Sequence, residues 1–68
     1  MSSEWKNLRM RRLRHRITKR EMARRLKCNE SWLNLLELHD YRGPARAKWS
    51  EKYRVALEGV IAERRKNG

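Results

Sequence analysis

The feature that most constrains this chain is the segment TKREMARRLKCNESWLNLLE, residues 18–37, in which two short helical patterns are separated by capping residues. Thr18 is a favourable helix N-cap, and Glu21 stands at the third helical position, where a capping box has its acidic residue. Glu21 and Arg25 also form a favourable i,i+4 pair. The apolar stripe of this first pattern consists of Met22, Ala23 and Leu26. These signals predict a helix that ends near Lys27.

The second pattern, NESWLNLLE, begins at Asn29, which is another favourable N-cap. Leu33 and Leu36 are spaced to share the buried face of this helix. The positions directed away from that face are Glu30, Ser31, Asn34 and Leu35. The segment therefore predicts two short helices joined by a turn of three or four residues.

A further helix is predicted before this segment. Ser2 or Ser3 can cap it, and the sequence RMRRLRHR, residues 9–16, belongs to its second half and not to a disordered arm. Its apolar side is formed by Trp5, Leu8 and Leu13, with Ile17 just past its end. Arg12 points toward that side, so we expect either a carboxylate partner or a side chain that extends to water.

A fourth, longer helix is predicted from about Lys48 or Ser50 to Arg65, after a turn marked by Gly43 and Pro44. Its expected core residues are Trp49, Tyr53, Leu57 and Val60, while Val55 and Ile61 are expected to face a second copy of the chain. The predicted fold is all-α: one compact four-helix domain over residues 1–68, with the two-helix segment at 18–38 and a C-terminal helix at about 48–65.

Charge indicates the kind of partner. The 68 residues contain 19 Lys and Arg against 8 Asp and Glu, a net charge of +11, which favours a polyanion and above all nucleic acid.

Cys28 is the only cysteine, so an internal disulfide is excluded. Neither a signal peptide nor a membrane span is evident, and we expect a cytoplasmic, nucleoid-associated protein with no membrane partner.

Two short helices with this spacing are typical of a helix-turn-helix, which requires a small residue where the helices cross and an apolar residue in the turn. Ala23 and Cys28 meet these two requirements. From about Leu8 to Pro44 the chain resembles the lambda-repressor and Cro-like helix-turn-helix proteins of phages and bacteria. The residues that match the family pattern are Thr18, Glu21, Ala23, Leu26, Cys28, Leu33, Leu36 and Glu37. The resemblance also implies a structural ion pair between Arg12 and Glu37.

The chain departs from this pattern twice. Lys27 stands where the family usually has Gly, which costs about 1 kcal/mol if its φ is positive. Lys19 replaces a Gln and suits a phosphate better than a base edge.

The base-reading positions that the resemblance implies are Glu30, Ser31, Asn34 and Leu35. Asn34 is the first choice, because an Asn can bond adenine through both amide atoms. Glu30 can instead stabilise the helix dipole, and Leu35 can instead pack against a loop or a partner chain. Trp32 is expected either to lie against the sugar-phosphate backbone or to pack beside the preceding helix.

Phosphate contacts position a protein on DNA without specifying sequence. The candidates on the second predicted helix, in the turn and in the following loop are Lys19, Arg20, Arg24, Lys27, Arg42, Arg46 and Lys48. Neutralising about six phosphates would give a slope near −5 for log affinity against log salt.

No enzyme is predicted, because neither His15 nor His39 has an acidic partner at a suitable spacing and no serine has a base. The single cysteine and two histidines make no zinc pattern, and we expect no cofactor, metal or small-molecule substrate. Cys28 is expected to be a small buried apolar residue.

The leading hypothesis is therefore a sequence-specific double-stranded DNA-binding regulator of transcription, most simply a repressor of phage or mobile-element type, with the helix at 30–38 in the major groove. Binding as a homodimer to a two-fold-symmetric site is a hypothesis that rests on the family analogy. The alternatives are an excisionase-type or architectural DNA-binding factor, a protein-interaction module such as an antitoxin or inhibitor, an RNA-binding protein and a membrane-surface helix.

Overall fold

Four helices account for the regular structure in residues 4–67, the part of the chain that this computed structural model describes. In chain order they are α1 (Glu4–Arg14), α2 (Lys19–Leu26), α3 (Glu30–Leu38) and α4 (Arg46–Asn67). α3 and α4 each pack against both α1 and α2. The fold is all-α with a longer C-terminal helix packed on the others, as the sequence predicts. No helix in residues 4–67 combines the length and the apolar composition that a bilayer crossing requires.

A single hydrophobic core joins the four helices. Its buried members are Trp5, Leu8, Ile17, Met22, Ala23, Leu26, Leu33, Leu36, Tyr53, Leu57, Val60 and Ile61, with Trp49 and others packed around them. The expectation that Ile61 faces a second copy is wrong, because Ile61 follows Leu57 by one helical turn and is only 8% exposed. Val55 does face outward and is 61% exposed.

The inward stripe of α1 differs from the predicted one at a single position. Trp5, Leu8 and Arg12 are buried, whereas Leu13 is 46% exposed. Leu13 lies about 140° around the helix from Leu8, and Arg12 lies only about 40° from it. The inward position one turn after Leu8 is therefore occupied by an arginine.

Side-chain caps define the starts of α2 and α3. Thr18 Oγ1 accepts a hydrogen bond from the Glu21 amide at 3.1 Å, and Asn29 Oδ1 accepts one from the Trp32 amide at 2.7 Å. The carboxylate of Glu21 accepts from Arg64 on α4 at 2.8 Å, while Arg25 pairs with Glu63. Glu21 and Arg25 thus pair with residues of α4 and not with each other. The Glu21 carboxylate therefore binds Arg64 in place of the Thr18 amide, which it would bind in a capping box. The cap predicted at Ser2 or Ser3 lies outside the described residues.

The turn between α2 and α3 begins with a residue in the left-handed conformation. Lys27 has φ 57° and ψ 44°. Because this φ is positive, the expected backbone cost of about 1 kcal/mol applies to Lys27. The Lys27 amide donates to the Arg24 carbonyl at 3.2 Å, and the Cys28 amide donates to the Ala23 carbonyl at 3.0 Å. These two bonds form a Schellman motif, which satisfies carbonyls at the end of α2.

α4 is longer than the sequence predicts at both ends. It begins at Arg46, two residues after Pro44, and continues to Asn67. Ser50 does not cap it, because its hydroxyl donates to the Ala47 carbonyl at 3.1 Å inside the helix. Arg46 and Lys48 therefore lie in the first turn of α4, and their assignment to a loop is wrong.

Candidate nucleic-acid interface

One face of α3 packs against the rest of the domain, and its N-terminal turn begins with residues exposed to solvent. Leu33 and Leu36 are completely buried in the core cluster that also contains Ala23 and Leu26. The Asn29 cap accepts from the Trp32 amide, and the side chains of Glu30 and Ser31 at the start of α3 are exposed. This is the orientation that a helix needs in order to enter a groove of DNA.

The four predicted base-reading positions differ in their accessibility. Glu30 and Ser31 are exposed in the first turn of α3. Leu35, one turn further along, is 37% exposed. Asn34 is only half-exposed. The outward surface of α3 is therefore formed by Glu30, Ser31 and Leu35 more than by Asn34.

The amide oxygen of Asn34 is buried, and it has no hydrogen-bond partner among the described residues. Reading adenine requires that the oxygen accept from the base while the amide nitrogen donates to it. In this conformation the Asn34 oxygen cannot reach a base. The predicted contact between Asn34 and adenine therefore requires the side chain to rotate outward.

Most of the predicted phosphate-binding cations lack an ion pair within residues 4–67. Among the seven, only Arg42 has one: its Nε and Nη2 donate to Asp40 Oδ2 at 3.1 and 2.9 Å. The six without a carboxylate partner in the described part of the chain are Lys19, Arg20, Arg24, Lys27, Arg46 and Lys48.

These cations lie on three elements that meet around the turn. Arg20, Arg24 and Lys27 follow one another at intervals of four and three residues, so they share one side of α2 and its end. Lys27 and Lys48 line the same groove between α2 and α4. Because the positive end of the α4 dipole also lies at Arg46 and Lys48, this region attracts anions.

An aromatic cluster fixes the start of α4 next to α3. The ring centroid of Trp32 lies 5.5 Å from that of Trp49 and 5.3 Å from that of Tyr41, both in edge-to-face geometry. Trp32 thus packs against α4 and the connecting loop, an arrangement that neither expectation named, and a contact with the sugar-phosphate backbone stays a prediction. Trp5 Nε1 donates to the Tyr41 carbonyl at 2.8 Å and ties the same loop to α1. At Gly43 a methyl group would overlap the Tyr41 ring, so a larger residue there would require this ring to move.

A buried polar cluster fixes α3 from its other side. Arg12 Nε and Nη2 donate to the two carboxylate oxygens of Glu37 at 2.9 and 3.0 Å, and Arg12 Nη1 donates to the Ile17 carbonyl at 2.6 Å. The structure thus contains the pair that the family resemblance implies. Tyr53 on α4 adds a third member by donating its hydroxyl to Glu37. No spacing in the sequence indicates this role, although a buried tyrosine hydroxyl usually has a hydrogen-bond partner.

The pKa values in this cluster follow from burial and from the Glu37 charge. Burial alone lowers the pKa of Arg12, but the hydrogen bond and the charge of Glu37 outweigh it, and the net shift is upward. For Tyr53, burial and then the contact with Glu37 both raise the pKa far above its ordinary value of 10. Arg12 therefore remains charged and Tyr53 remains neutral, which keeps all three hydrogen-bonding groups paired.

Several cations outside the candidate interface are paired with carboxylates on neighbouring helices. Arg11 lies 3.8 Å from Glu58, and Arg25 donates to Glu63. Arg64 donates both to Glu21 and to the His15 carbonyl. These contacts join α4 to α1 and α2, so part of the positive charge of the chain is used inside the fold.

No group of three or more potential ligands is arranged to hold a metal ion in residues 4–67. Cys28 is half-buried, and burial raises the pKa of its thiol, which disfavours the reactive thiolate.

Comparisons with protein-family models, with curated proteins and with solved structures gave no significant match for this chain.

Proposed function

We propose that this protein is a sequence-specific double-stranded DNA-binding regulator of transcription, a repressor of the type found in phages and mobile elements. In this proposal the N-terminal half of α3 enters the major groove. The cations of α2, of the turn and of the first turn of α4 contact the phosphates on either side. A repressor acts here by occupying a site that RNA polymerase would otherwise use.

The observation that carries this proposal is the cationic surface without internal partners. Lys19, Arg20, Arg24, Lys27, Arg46 and Lys48 lack carboxylate partners within residues 4–67. Each such cation that meets a phosphate releases a condensed counterion, which makes binding favourable and dependent on salt. With about six phosphates neutralised, log affinity should fall against log salt with a slope near −5.

Sequence preference would come from the exposed side of α3. Ser31 can bond several bases, Glu30 can accept from a cytosine amine, and Leu35 can contact a thymine methyl group. Each good contact discriminates against a wrong base by about 1 to 3 kcal/mol. Asn34 joins this set only if its amide turns outward on binding, which DNA can favour by offering partners to its unsatisfied oxygen.

Binding as a homodimer on a two-fold-symmetric site remains part of the proposal. With Ile61 buried, the expected contact pair of Val55 and Ile61 cannot carry the dimer, so this part of the proposal rests on the two-fold symmetry of the site alone. Sedimentation with and without a palindromic duplex tests the stoichiometry. Two chains on one palindrome are expected, whereas a single chain bound to one half-site would remove the dimer from the proposal.

The central experiment is selection of bound duplexes from a random DNA pool at two salt concentrations. We expect enrichment of a short motif with two-fold symmetry. In binding measurements on that motif, Ser31→Ala should relax the preference at one base pair, because it removes one base contact. Asn34→Ala should do the same where the Asn34 amide turns outward on binding. Lys19→Ala should weaken binding to all sequences alike and reduce the salt slope by about 1.

Two outcomes would contradict the proposal. A selected pool without any enriched motif would exclude sequence-specific readout. If structured RNA binds more tightly than the selected duplex in direct competition, the cationic surface is an RNA-binding surface.

A further inference from the structure

An open groove of about 470 Å³ lies between the end of α2 and the middle of α4. α4 contributes one continuous side to it, through positions at helical spacing: Lys48, Glu51, Lys52, Val55 and Ala56. The α2 side and the turn contribute Arg25, Leu26 and Lys27. The groove follows α4 for about 12 Å, which corresponds to roughly two turns of a helix laid against it.

The floor of the groove is apolar. We call its apolar lining residues, Leu26, Val55 and Ala56, the floor, and Val55 is the most exposed of the large apolar residues in the described chain, at 61%. An exposed apolar patch framed by polar residues is typical of a surface that binds another protein. DNA phosphates and sugars gain little from such a floor, so the proposed DNA contacts do not explain it.

The rim of the groove is strongly cationic. Lys27, Lys48 and Lys52 have no carboxylate partner in residues 4–67, and Glu51 is the one carboxylate that lines the groove. Lys52 Nζ lies 5.0 Å from the ring centroid of Trp49, which orients its ammonium group over the indole ring. Arg25 is already paired with Glu63, so the three lysines supply the uncompensated charge.

We propose that this groove binds an acidic amphipathic helix of a partner protein, with the apolar side of that helix on Leu26, Val55 and Ala56. The carboxylates of the partner would then meet the lysines of the rim. Helices that place apolar residues at i, i+4 and i+7 into a groove are a general mode of peptide recognition. A second copy of this chain fits poorly, because a net charge of +11 would add further cations to a cationic rim.

The probe for this proposal is a fluorescein-labelled helical peptide of about 15 residues, with leucines at i, i+4 and i+7 and glutamates on its other faces. A scrambled peptide of equal composition is its control, since it keeps the charge and loses the apolar side. Fluorescence anisotropy with the full chain should detect binding of the helical peptide at least about tenfold tighter than that of the scrambled one. Backbone amide shifts should change mainly along the groove.

Two matched pairs of variants separate the apolar contact from the charge. Val55→Ser should weaken peptide binding by about tenfold, while Leu13→Ser, at an exposed apolar residue on α1 outside the groove, should leave it unchanged. Lys52→Gln should weaken binding by about threefold, and Arg54→Gln, the same change of charge on the same helix outside the groove, by less.

Three results would overturn the proposal. One is equal affinity for the helical and the scrambled peptide. Another is equal loss of binding in Val55→Ser and Leu13→Ser. The third is self-association of the chain that Val55→Ser abolishes, because this would assign the groove to a second copy.

A competition experiment separates this inference from the proposed DNA binding. Lys27 and Lys48 line the groove and also belong to the phosphate candidates. A selected duplex should therefore compete with the peptide, an expectation that rests on the proposed function. Val55→Ser alters no phosphate candidate and should retain DNA affinity. Peptide binding that depends on Val55 in a chain that fails to bind DNA would support the groove and contradict the proposed function.

Discussion

Two neighbouring arginines on α2 illustrate a division of the positive charge into two regions. Arg25 donates to Glu63 on α4, whereas Arg24 has no carboxylate partner within residues 4–67. We call the first region the paired seam, formed by the ion pairs Arg11–Glu58, Arg25–Glu63, Arg64–Glu21 and the buried Arg12–Glu37. The second is the unpaired face, formed by Lys19, Arg20, Arg24, Lys27, Arg46 and Lys48.

The difference shows that net charge alone does not locate a polyanion site in this chain. Carboxylates on α2, α3 and α4 compensate the seam, where the cations join helices to one another. On the unpaired face the Lys and Arg side chains form no ion pair within residues 4–67, and they repel one another. A cation that lacks an internal partner lowers the stability of the fold, and a bound anion can compensate its charge.

The largest effect is expected at the buried end of the seam. Glu37→Gln removes the charge that compensates Arg12 while it keeps the shape of the side chain, so it should lower the free energy of unfolding by about 3–5 kcal/mol. Urea unfolding followed by circular dichroism measures this loss. Arg42→Gln breaks an exposed pair and is the control, with an expected loss below about 1 kcal/mol. Similar losses in both variants would show that the buried cluster is not special.

Tyr53→Phe should have a smaller effect, because it removes only the hydroxyl that donates to Glu37. We expect a loss of about 1–2 kcal/mol near neutral pH. The raised pKa of Tyr53 also gives a pH dependence: its contribution should be present below pH 10, where an unfolded tyrosine is protonated, and should fall as the pH rises beyond 10.

Unfolding curves for wild type and Tyr53→Phe, recorded on both sides of pH 10, measure this dependence. Lysines also titrate at high pH, but they do so in both proteins, so the difference between the two curves isolates Tyr53. A difference that stays constant through this range would contradict the assigned hydrogen bond.

Gly59→Ala should stabilise the chain without changing either region of charge. A methyl group at Gly59 would meet only Arg25 Nη1, at 4.0 Å, and alanine favours the helix over glycine. We expect a gain of about 0.5–1 kcal/mol in unfolding free energy and an unchanged affinity for DNA. A change in DNA affinity would show that the seam and the unpaired face are coupled through α4.

The smallest stability effect is expected for the exposed part of the seam. Arg25→Gln breaks the pair with Glu63, and exposed pairs of this kind contribute about 0–1 kcal/mol. Thermal unfolding at low and at high salt measures the loss, which should shrink as salt screens the pair. A loss that increases with salt would rule out an electrostatic origin.

Much of the fold follows from local rules in the sequence. Thr18 and Asn29 cap the helices that they were expected to cap, and Leu33 and Leu36 are buried at the predicted spacing. Lys27 adopts a positive φ at the turn position where a backbone cost was expected. These features depend on residues within a few positions of one another, and for that reason one sequence is enough to identify them.

What the sequence analysis missed depends on contacts between distant elements. Glu21 turns to Arg64, 43 residues away, because α2 and α4 lie side by side. Trp32 packs between Tyr41 and Trp49, an arrangement that no spacing within α3 predicts. For the candidate interface, sequence position suggested residues that stay a prediction, and it could not show that the amide oxygen of Asn34 is buried.

The most direct test of the division is the salt dependence of DNA binding for Arg24→Gln and Arg25→Gln. The two variants change the same residue type on the same helix and lower the net charge equally, so long-range electrostatics are matched. The account predicts that Arg24→Gln reduces the slope of log affinity against log salt by about 1, whereas Arg25→Gln leaves the slope unchanged. Equal changes in both slopes, or a larger change for Arg25→Gln, would contradict it.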